Sequence, residues 1–325
     1  MTAISSMPKI DLHCHLDGSF RKSYVMDCLG LAALSEDRLR APADCDSLTT
    51  YLTCFDLPIS CLQTKEGITK GVLDVLEQAS TEGVRYIELR FAPTCSKNEE
   101  LSFPDIIEAA IDGCEQGKRF SIESNLILCA MRHHTREQNE EVLRYTREYL
   151  GHHVCAMDLA GDESAFPNEC FKDLFEEAGR YNLPFTIHSG ECGRAENVKL
   201  ALEYGAKRVG HGIALYKDPS LMQACKEARL GLELCPTSNF QTRAATDPAA
   251  YPLRTFLDYG LLATVNTDNR TVSNTNSTQE LLLCLERLGI TKKDLRTLYE
   301  NSVEISFADD AVKHQLLQEF YQSWK

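Results

Sequence analysis

The segment Ile10-Asp11-Leu12-His13-Cys14-His15-Leu16-Asp17-Gly18 places two histidines one residue apart near the start of the chain. Ile10 and Leu12 are typical of the beginning of a β-strand, and Asp17-Gly18 supplies the turn chemistry that ends one. Because successive side chains of a strand point to opposite faces, His13 and His15 share one face and can hold one metal ion between them. An isolated His-x-His pair is a weak signal, so its meaning depends on the other motifs of the chain.

Short apolar runs predict eight β-strands, and several runs are apolar throughout, as expected for strands that are covered on both faces. The predicted strands cover residues 9–15, 84–92, 121–131, 153–160, 183–188, 207–212, 230–235 and 261–267. Between most of them the pattern predicts helices, at 65–82, 102–119, 135–150, 168–181, 194–204 and 219–228. Alternating strands and helices predict parallel β-α-β units, and eight such units predict a closed α/β fold, the TIM (β/α)8 barrel.

The chain is predicted to form one domain over residues 1–325, since it contains no Gly/Ser-rich linker, internal repeat or low-complexity tract. The connection between the first two strands is much longer than the others. Residues 17–64 contain predicted helices at 20–34 and 47–62, which are expected to form an excursion over the barrel mouth. Additional C-terminal helices are predicted at 276–289, 292–302 and 308–323.

Composition limits the classes of partner. A net charge of -14 argues against nucleic acid, because binding to phosphates requires clustered lysine and arginine. The N-terminal segment lacks the pattern of a signal peptide and no apolar run approaches the length of a membrane span, so no membrane partner is expected. The 14 cysteines are scattered, without a single C-x-x-C, and are expected to be reduced thiols of a cytoplasmic protein. The sequence gives no indication of an oligomeric state.

Polar residues lie at the ends of four of the predicted strands. They occur in His13-Cys14-His15, His188-Ser189-Gly190-Glu191, Gly210-His211-Gly212 and Asn266-Thr267-Asp268-Asn269, at the first, fifth, sixth and eighth strands. In a barrel the carboxyl ends of all strands meet at one face, where barrel enzymes place their chemistry. Imidazole and carboxylate are ligands that zinc prefers. The pattern therefore predicts a zinc hydrolase site.

The ordered set of motifs resembles the adenosine deaminase family, zinc-dependent TIM barrels of the amidohydrolase superfamily. The resemblance covers essentially the whole chain. Its further motifs are Asp158-Leu159-Ala160-Gly161-Asp162-Glu163, Arg208-Val209-Gly210-His211-Gly212, Leu234-Cys235-Pro236-Thr237-Ser238-Asn239 and Asn301-Ser302. The family activity is hydrolytic removal of the amino group from C6 of a purine nucleoside, so the resemblance implies a small-molecule nucleoside as substrate.

By this resemblance, one Zn²⁺ per chain is bound by His13, His15, His188 and Asp268, with a water completing the site. Zinc lowers the pKa of a bound water toward about 7. Dinuclear relatives in the superfamily bridge two metals with a carboxylated lysine, and residues 152–160 contain no lysine. A single zinc ion is therefore expected.

The resemblance also implies roles for residues around the metal. Glu191 protonates N1 of the purine, which requires a raised pKa, and His211 orients the attacking hydroxide without being a ligand. Gly161 contacts N3 through its backbone amide, and Asp17 contacts a ribose hydroxyl. Ser238 is expected in a second layer of contacts, near Asp268 or His211.

One residue departs from the family pattern. Many members have two successive aspartates after Asn-Thr, whereas Asn269 takes the second position here. The family residue hydrogen-bonds N7 of the purine, which accepts. An aspartate donates only when it is protonated, whereas the asparagine amide donates in every protonation state.

The leading hypothesis is the zinc-dependent hydrolytic deamination of adenosine, and of 2′-deoxyadenosine, to inosine and ammonia. A second hypothesis is that the same residues deaminate free adenine or a modified adenosine. Related adenine deaminases carry glutamate where Asp17 stands, which favours a nucleoside here. A third is a non-catalytic purine-binding or interaction protein, because a fold alone never establishes function.

Overall fold

Parallel strands form the centre of the structure, a computed structural model that describes residues 2–43, 45, 47–192 and 194–324. Each strand begins and ends within three residues of one predicted from the sequence. The strands are β1 (Lys9–His15), β2 (Val84–Phe91), β3 (Glu123–Met131), β4 (Val154–Ala160), β5 (Thr186–Ser189), β6 (Arg208–His211), β7 (Gly231–Leu234) and β8 (Leu262–Val265).

The strands make two parallel four-stranded sheets, β1-β2-β3-β4 and β5-β6-β7-β8, that close into a barrel. Single residue pairs join them: Met157 with Phe185, and Cys14 with Asp268. At the second junction the Asp268 N–H donates to the His13 carbonyl at 2.8 Å, and the His15 N–H donates to the Asp268 carbonyl at 2.7 Å. The predicted TIM barrel is confirmed, and the barrel closes at residues predicted to bind metal.

Helices connect the strands and surround the barrel. They are α1 (Thr2–Ser5), α2 (Lys22–Leu29), α3 (Leu48–Leu52), α4 (Asp56–Ser60), α5 (Lys65–Thr81), α6 (Phe103–Gly117), α7 (Arg136–Tyr149), α8 (Lys172–Arg180), α9 (Ala195–Tyr204), α10 (Pro219–Glu227), α11 (Pro236–Gln241), α12 (Leu253–Tyr259), α13 (Ser277–Arg287), α14 (Lys292–Ile305) and α15 (Asp310–Ser323). No helix of the described residues combines the length and the apolar character that crossing a membrane requires.

Local chemistry explains where the elements differ from the predicted ones. The helix predicted over 20–34 ends at Leu29, because Gly30 adopts a left-handed φ of 64° and terminates it. The strand predicted from residue 183 begins at Thr186, since Pro184 has no N–H for the ladder. The helix predicted over 47–62 is two short helices, α3 and α4.

Apolar side chains of strands and helices form one extensive buried cluster between the barrel and its helical layer. Its members include Leu12, Ile87, Leu126, Val209 and Phe256, each at most 1% exposed. That residues 1–325 form one domain, with 17–64 as an excursion over the mouth, stays a prediction. Within that segment, α3 and α4 contribute side chains to the lining of a cavity at the carboxyl ends of the strands.

Candidate active site

The cavity at the carboxyl ends of the strands has a volume of about 320 Å³, a size typical of small-molecule sites. Nine of the ten residues predicted from the sequence to act in the site line it: His15, Asp17, Gly161, His188, Glu191, His211, Ser238, Asp268 and Asn269. The tenth, His13, lies beneath them, with its ring centroid 4.6 Å from that of His188. Residues that are far apart in the chain are thus brought together.

Imidazole nitrogens and one carboxylate converge at the bottom of this cavity. The Nε2 atoms of His15 and His188 are 3.2 Å apart. Asp268 Oδ1 lies 3.4 Å from His13 Nε2 and 3.5 Å from His15 Nε2. Ligands bonded to one metal ion at about 2.0 Å in a tetrahedron are separated by roughly 3.3 Å. These separations therefore fit a shared metal ion, and His13 Nε2 is buried without any hydrogen-bond partner among the described residues.

His211 also belongs to this buried group. One atom each of His13, His188, His211 and Asp268 can be chosen so that all four lie within 4.8 Å of one another. His15 stands outside that set, although its contacts with His188 and Asp268 are shorter than 4 Å. The region therefore offers five possible donors to a metal ion, and distance alone does not separate His15 from His211.

Two of the histidines are held from behind by buried carboxylates. His13 Nδ1 lies 2.8 Å from Glu233 Oε2, and His188 Nδ1 lies 2.9 Å from Asp158 Oδ2. A carboxylate at Nδ1 places the imidazole proton there and leaves the Nε2 lone pair free for a metal. Both Nε2 atoms accordingly face the convergence point.

Arg90 joins these carboxylates inside the barrel. Its guanidinium donates to Asp158 Oδ2 at 3.0 Å and to Glu233 Oε2 at 2.8 Å. Glu233 also accepts from Arg208 Nε at 2.6 Å, and Arg208 pairs with Glu88. Burial opposes ionisation of Glu233, but the two guanidinium groups hold its pKa well below the ordinary value. Burial also opposes ionisation of Asp158, but His188 and Arg90 lower the pKa of this carboxyl. Both carboxylates behind the histidines are therefore expected to stay charged.

Glu191 has the properties of a proton donor. Burial, followed by the nearby charges of Asp268 and Glu163, raises its pKa to about 8. Its side chain is 5% exposed, and Oε2 lies 3.6 Å from His211 Nε2. A carboxyl group with a raised pKa beside a cavity can hold and release a proton near neutral pH.

A second carboxylate fixes the loop that carries Glu191. Glu163, 1% exposed, accepts from the backbone N–H groups of Gly190, Glu191 and Cys192 at 2.6, 3.0 and 3.1 Å. It also accepts from Asn197 Nδ2 at 2.8 Å. Four hydrogen bonds to one buried carboxylate hold this loop in a single geometry.

Arg132, for which the sequence suggested no role, supports the same strand end. Its Nη2 donates to the His188 carbonyl at 2.6 Å and to Asn168 Oδ1 at 2.7 Å. Arg132 is 2% exposed and does not line the cavity. Its contacts fix the backbone at His188.

Asp17 and Gly161, which are predicted to contact the substrate, both line the cavity. Asp17 Oδ1 is buried with no hydrogen-bond partner among the described residues, and burial raises the pKa of this carboxyl to about 6. Gly161 has a φ of 106°, a conformation that L side chains rarely adopt.

Asn269 lies against the turn after β1. A Cβ added to Gly18 would stand 1.8 Å from Asn269 Oδ1, so only glycine fits beside this amide. Asn269 Oδ1 is buried and unpartnered within the described residues. The Ser238 hydroxyl also lacks a partner there, so the contact expected for it stays a prediction.

Sequence reasoning gave no role to Arg90, Asp158, Glu163 or Glu233. A readable signal exists: charged residues at alternate positions of strands that are otherwise apolar, as in Glu88 and Arg90 of β2. Such residues point into a barrel and must find partners there. Their partners, however, lie on strands far away in sequence.

Comparison with known proteins shows the family of this chain. The family model described as "Adenosine deaminase" matches residues 8–323. A curated adenosine deaminase of Enterococcus faecalis is 38% identical over 330 aligned positions, covering 99% of this chain and 98% of its own length.

Solved structures share the fold over the whole chain. The N6-methyl-AMP deaminase of Arabidopsis thaliana is 26% identical, with a TM-score of 0.86 and coverage of 99% of this chain and 98% of its own. An adenine deaminase of Arthrobacter aurescens has a TM-score of 0.86, covers 98% of each chain and, at 24% identity, shows the fold alone. With the near-complete match to the family model and the 38% identity of a relative over the full length, this chain belongs to the adenosine deaminase family.

Proposed function

We propose that this chain catalyses the zinc-dependent hydrolytic deamination of adenosine, and of 2′-deoxyadenosine, to inosine and ammonia. One observation carries the proposal. A carboxyl group with a pKa raised to about 8, Glu191, opens onto the same cavity as a cluster of metal-binding donors. Family membership supports the reaction class, and the donor chemistry supports zinc.

Zinc fits the residues that are present, because the cluster offers imidazole and carboxylate groups, which this ion prefers. The proposed ligands are His13, His15, His188 and Asp268. When bound, zinc supplies Lewis acidity that makes a water nucleophilic at neutral pH. One ion per chain is expected, because the described residues contain no second cluster of this kind.

The protein residues divide the remaining work. Glu191 holds a proton at its carboxyl group and delivers it to N1 of the purine as the water oxygen attacks C6. His211 contacts the attacking oxygen. The C6–amino bond then breaks as the C6–oxygen double bond forms. The two protons of the attacking water pass one to the departing amino group, which leaves as ammonia, and one to the Glu191 carboxylate, which replaces the proton given to N1. Burial of Glu191 supports this role, since a solvated glutamate is ionised at neutral pH.

Other residues would orient the substrate. Asp17, with an unpaired buried oxygen, is proposed to accept from a ribose hydroxyl. The Gly161 N–H is proposed to donate to N3, and the Asn269 amide to N7. The charged residues described in the lining are acidic, apart from histidines, and include Asp56 and Asp162. This charge favours a nucleoside over a nucleotide, because a phosphate would meet no lysine or arginine there.

The test is ammonia release from adenosine, 2′-deoxyadenosine, adenine, AMP and 5′-modified adenosines, combined with metal analysis. Adenosine should be deaminated far better than adenine, since the unpaired Asp17 would penalise a substrate without the sugar. One zinc per chain and loss of activity on exhaustive chelation are expected. A kcat/KM for adenine at or above that for adenosine, two metals per chain, or full activity after chelation would contradict the proposal.

A further inference from the structure

The imidazole of His211 is held from behind by a short chain of buried hydrogen bonds. Asn239 Nδ2 lies 3.0 Å from His211 Nδ1, and the Tyr251 hydroxyl lies 2.9 Å from Asn239 Oδ1. His211, Asn239 and Tyr251 are 1%, 0% and 4% exposed. Asn239 belongs to helix α11, after β7, and Tyr251 precedes α12. The chain of bonds therefore links helix α11 and the segment before α12 to the end of β6.

The direction of these hydrogen bonds is set by Tyr251. Among the residues that the structure describes, Asn239 Oδ1 is the one hydrogen-bond partner of its hydroxyl. A buried phenol proton needs an acceptor, so Tyr251 donates to Asn239 Oδ1. Rotating the amide by half a turn would direct the Asn239 nitrogen at Tyr251 and leave the phenol proton without any acceptor. The amide nitrogen of Asn239 consequently faces His211.

The facing amide decides which nitrogen of His211 carries the proton. An amide nitrogen can only donate, so Nδ1 of His211 must accept and cannot itself be protonated. The ring proton then resides on Nε2. This atom lies 3.6 Å from Glu191 Oε2, too long for a direct hydrogen bond. The His211 ring also lies close to the metal-binding donors, with its centroid 5.0 Å from that of His13. The neighbours of its Nε2–H are therefore Glu191 and this donor cluster.

We propose that Asn239 and Tyr251 are positioning residues that fix His211 as the Nε2–H tautomer. His211 then donates a hydrogen bond to the oxygen that attacks C6. In this tautomer its Nε2 can neither take the proton of that oxygen as a base nor bind the metal, which leaves His15 as the fourth ligand. The hydrogen bond to the attacking oxygen depends on the proposed function. The assignment of the tautomer does not depend on it.

The tautomer can be read directly by two-bond ¹H–¹⁵N correlation spectra of zinc-loaded protein labelled with [¹⁵N]histidine. The His211 signals are assigned by their loss in His211→Asn. The expected result is an unprotonated Nδ1 and a protonated Nε2. The reverse pattern, or a His211 Nε2 bound to zinc, would overturn the proposal without any assay of activity.

Two variants test the positioning residues. Asn239→Asp offers an acceptor in place of the donor, so the His211 signals should change to the Nδ1–H pattern. The kcat for adenosine should then fall roughly 100-fold, the usual cost of losing one donor to a developing charge, with little change in KM. Tyr251→Phe frees the amide to rotate, and should give both tautomers and a smaller loss of kcat.

The matched control is Tyr299→Phe, which loses a buried hydroxyl contact with the Leu316 carbonyl. It should change neither the His211 signals nor kcat. If Asn239→Asp and Tyr251→Phe retain zinc but keep the wild-type tautomer, the positioning role is overturned. If the wild type shows the expected tautomer but does not deaminate adenosine, the tautomer assignment stands and the proposed function fails.

Discussion

The floor and the mouth of the cavity are built by opposite means. The floor consists of His13 and His188 with the carboxylates Glu233 and Asp158 behind them, all joined through Arg90. Glu233, Asp158 and Arg90 are 0% exposed. Glu233 and Arg90 each pair with two charged groups, and Asp158 pairs with Arg90 and with the His188 imidazole. Breaking one such buried pair typically costs about 3–5 kcal/mol, so the geometry of the floor is rigid.

The mouth is lined by apolar side chains of residues 48–59. Leu52 is 38% exposed, and Leu48, Phe55 and Ile59 are half-buried. Contacts of this kind are non-directional and tolerate changes in shape. The comparison indicates that the floor sets the chemistry, whereas the mouth adjusts affinity. Substitutions in the two regions should therefore differ in size and in the kinetic constant they change.

The largest effect is expected for Glu191→Gln at the floor side of the cavity. Glutamine cannot deliver a proton, so kcat should fall at least about 100-fold while zinc content and equilibrium substrate binding stay the same. Steady-state kinetics, metal analysis and binding to the substrate check this. Turnover like that of the wild type would remove Glu191 from the mechanism. Glu280→Gln is the matched control, since Glu280 is also buried, with a pKa raised to about 7 by burial, but lies outside the cavity lining.

Asp158→Asn tests whether the charges beneath the floor support the metal. In this variant His188 Nδ1 still has an oxygen as its partner, but residue 158 no longer carries a negative charge. Zinc affinity should therefore fall about 10–100-fold. Competition with a chromophoric chelator measures this affinity. Asp74→Asn is the control, because Asp74 is a buried carboxylate paired with Arg21 away from the site. Equal zinc affinities in the two variants would show that the floor charges do not tune the metal.

Asn269 lies between the floor and the turn after β1. Its hydrogen bond to N7 should contribute less to catalysis than the residues of the floor. An adenosine analogue with carbon in place of N7 should bind more weakly than adenosine by about 1–3 kcal/mol, the cost of leaving the buried amide donor unpaired. Asn269→Leu should not discriminate between the two substrates. In Asn269→Asp only the protonated carboxyl donates, so kcat/KM should fall as pH rises through its pKa. The measurement is kcat/KM for adenosine and for the analogue across pH. Equal values for the two substrates in the wild type would exclude a hydrogen bond from Asn269 to N7.

The smallest effect is expected at the mouth. Leu52→Ala removes a partly exposed apolar contact worth about 1 kcal/mol, so KM should rise several-fold with kcat unchanged. Leu150→Ala is matched in residue type and exposure, at 37%, but precedes β4 at the other end of the barrel, and should alter neither constant. A tenfold loss of kcat in Leu52→Ala would remove the distinction between the two regions.

The sequence predicted the barrel and the polar residues at the ends of its strands because both depend on local patterns, whereas Gly161 and Ser238 were indicated only by the family resemblance. Continuous apolar runs predict buried strands, and polar residues at their carboxyl ends must meet at one face. Helices α11 and α12 were not predicted. Pro236 is the first residue of α11, a position that proline favours, so this helix had a signal in the sequence.

The charge network could not be predicted in the same way. Arg90 contacts Glu233 across 143 residues, and such a partner depends on the register of strands that are not neighbours in sequence. The tautomer proposed for His211 could not be predicted either, since it depends on the hydrogen bond between Tyr251 and Asn239. Motifs indicate which groups a site contains, whereas long-range packing decides how each group is held.

Two residues of the site, His211 and Asp268, have left-handed backbones, with φ values of 62° and 59°. This conformation costs roughly 1–2 kcal/mol for most residues, and least for glycine and asparagine. A library randomised at these positions and selected only for folding should thus be enriched in glycine and asparagine and depleted in valine, isoleucine and threonine. Selection for deamination should restore histidine and aspartate, so at these two positions the preferences for folding and for activity can be separated.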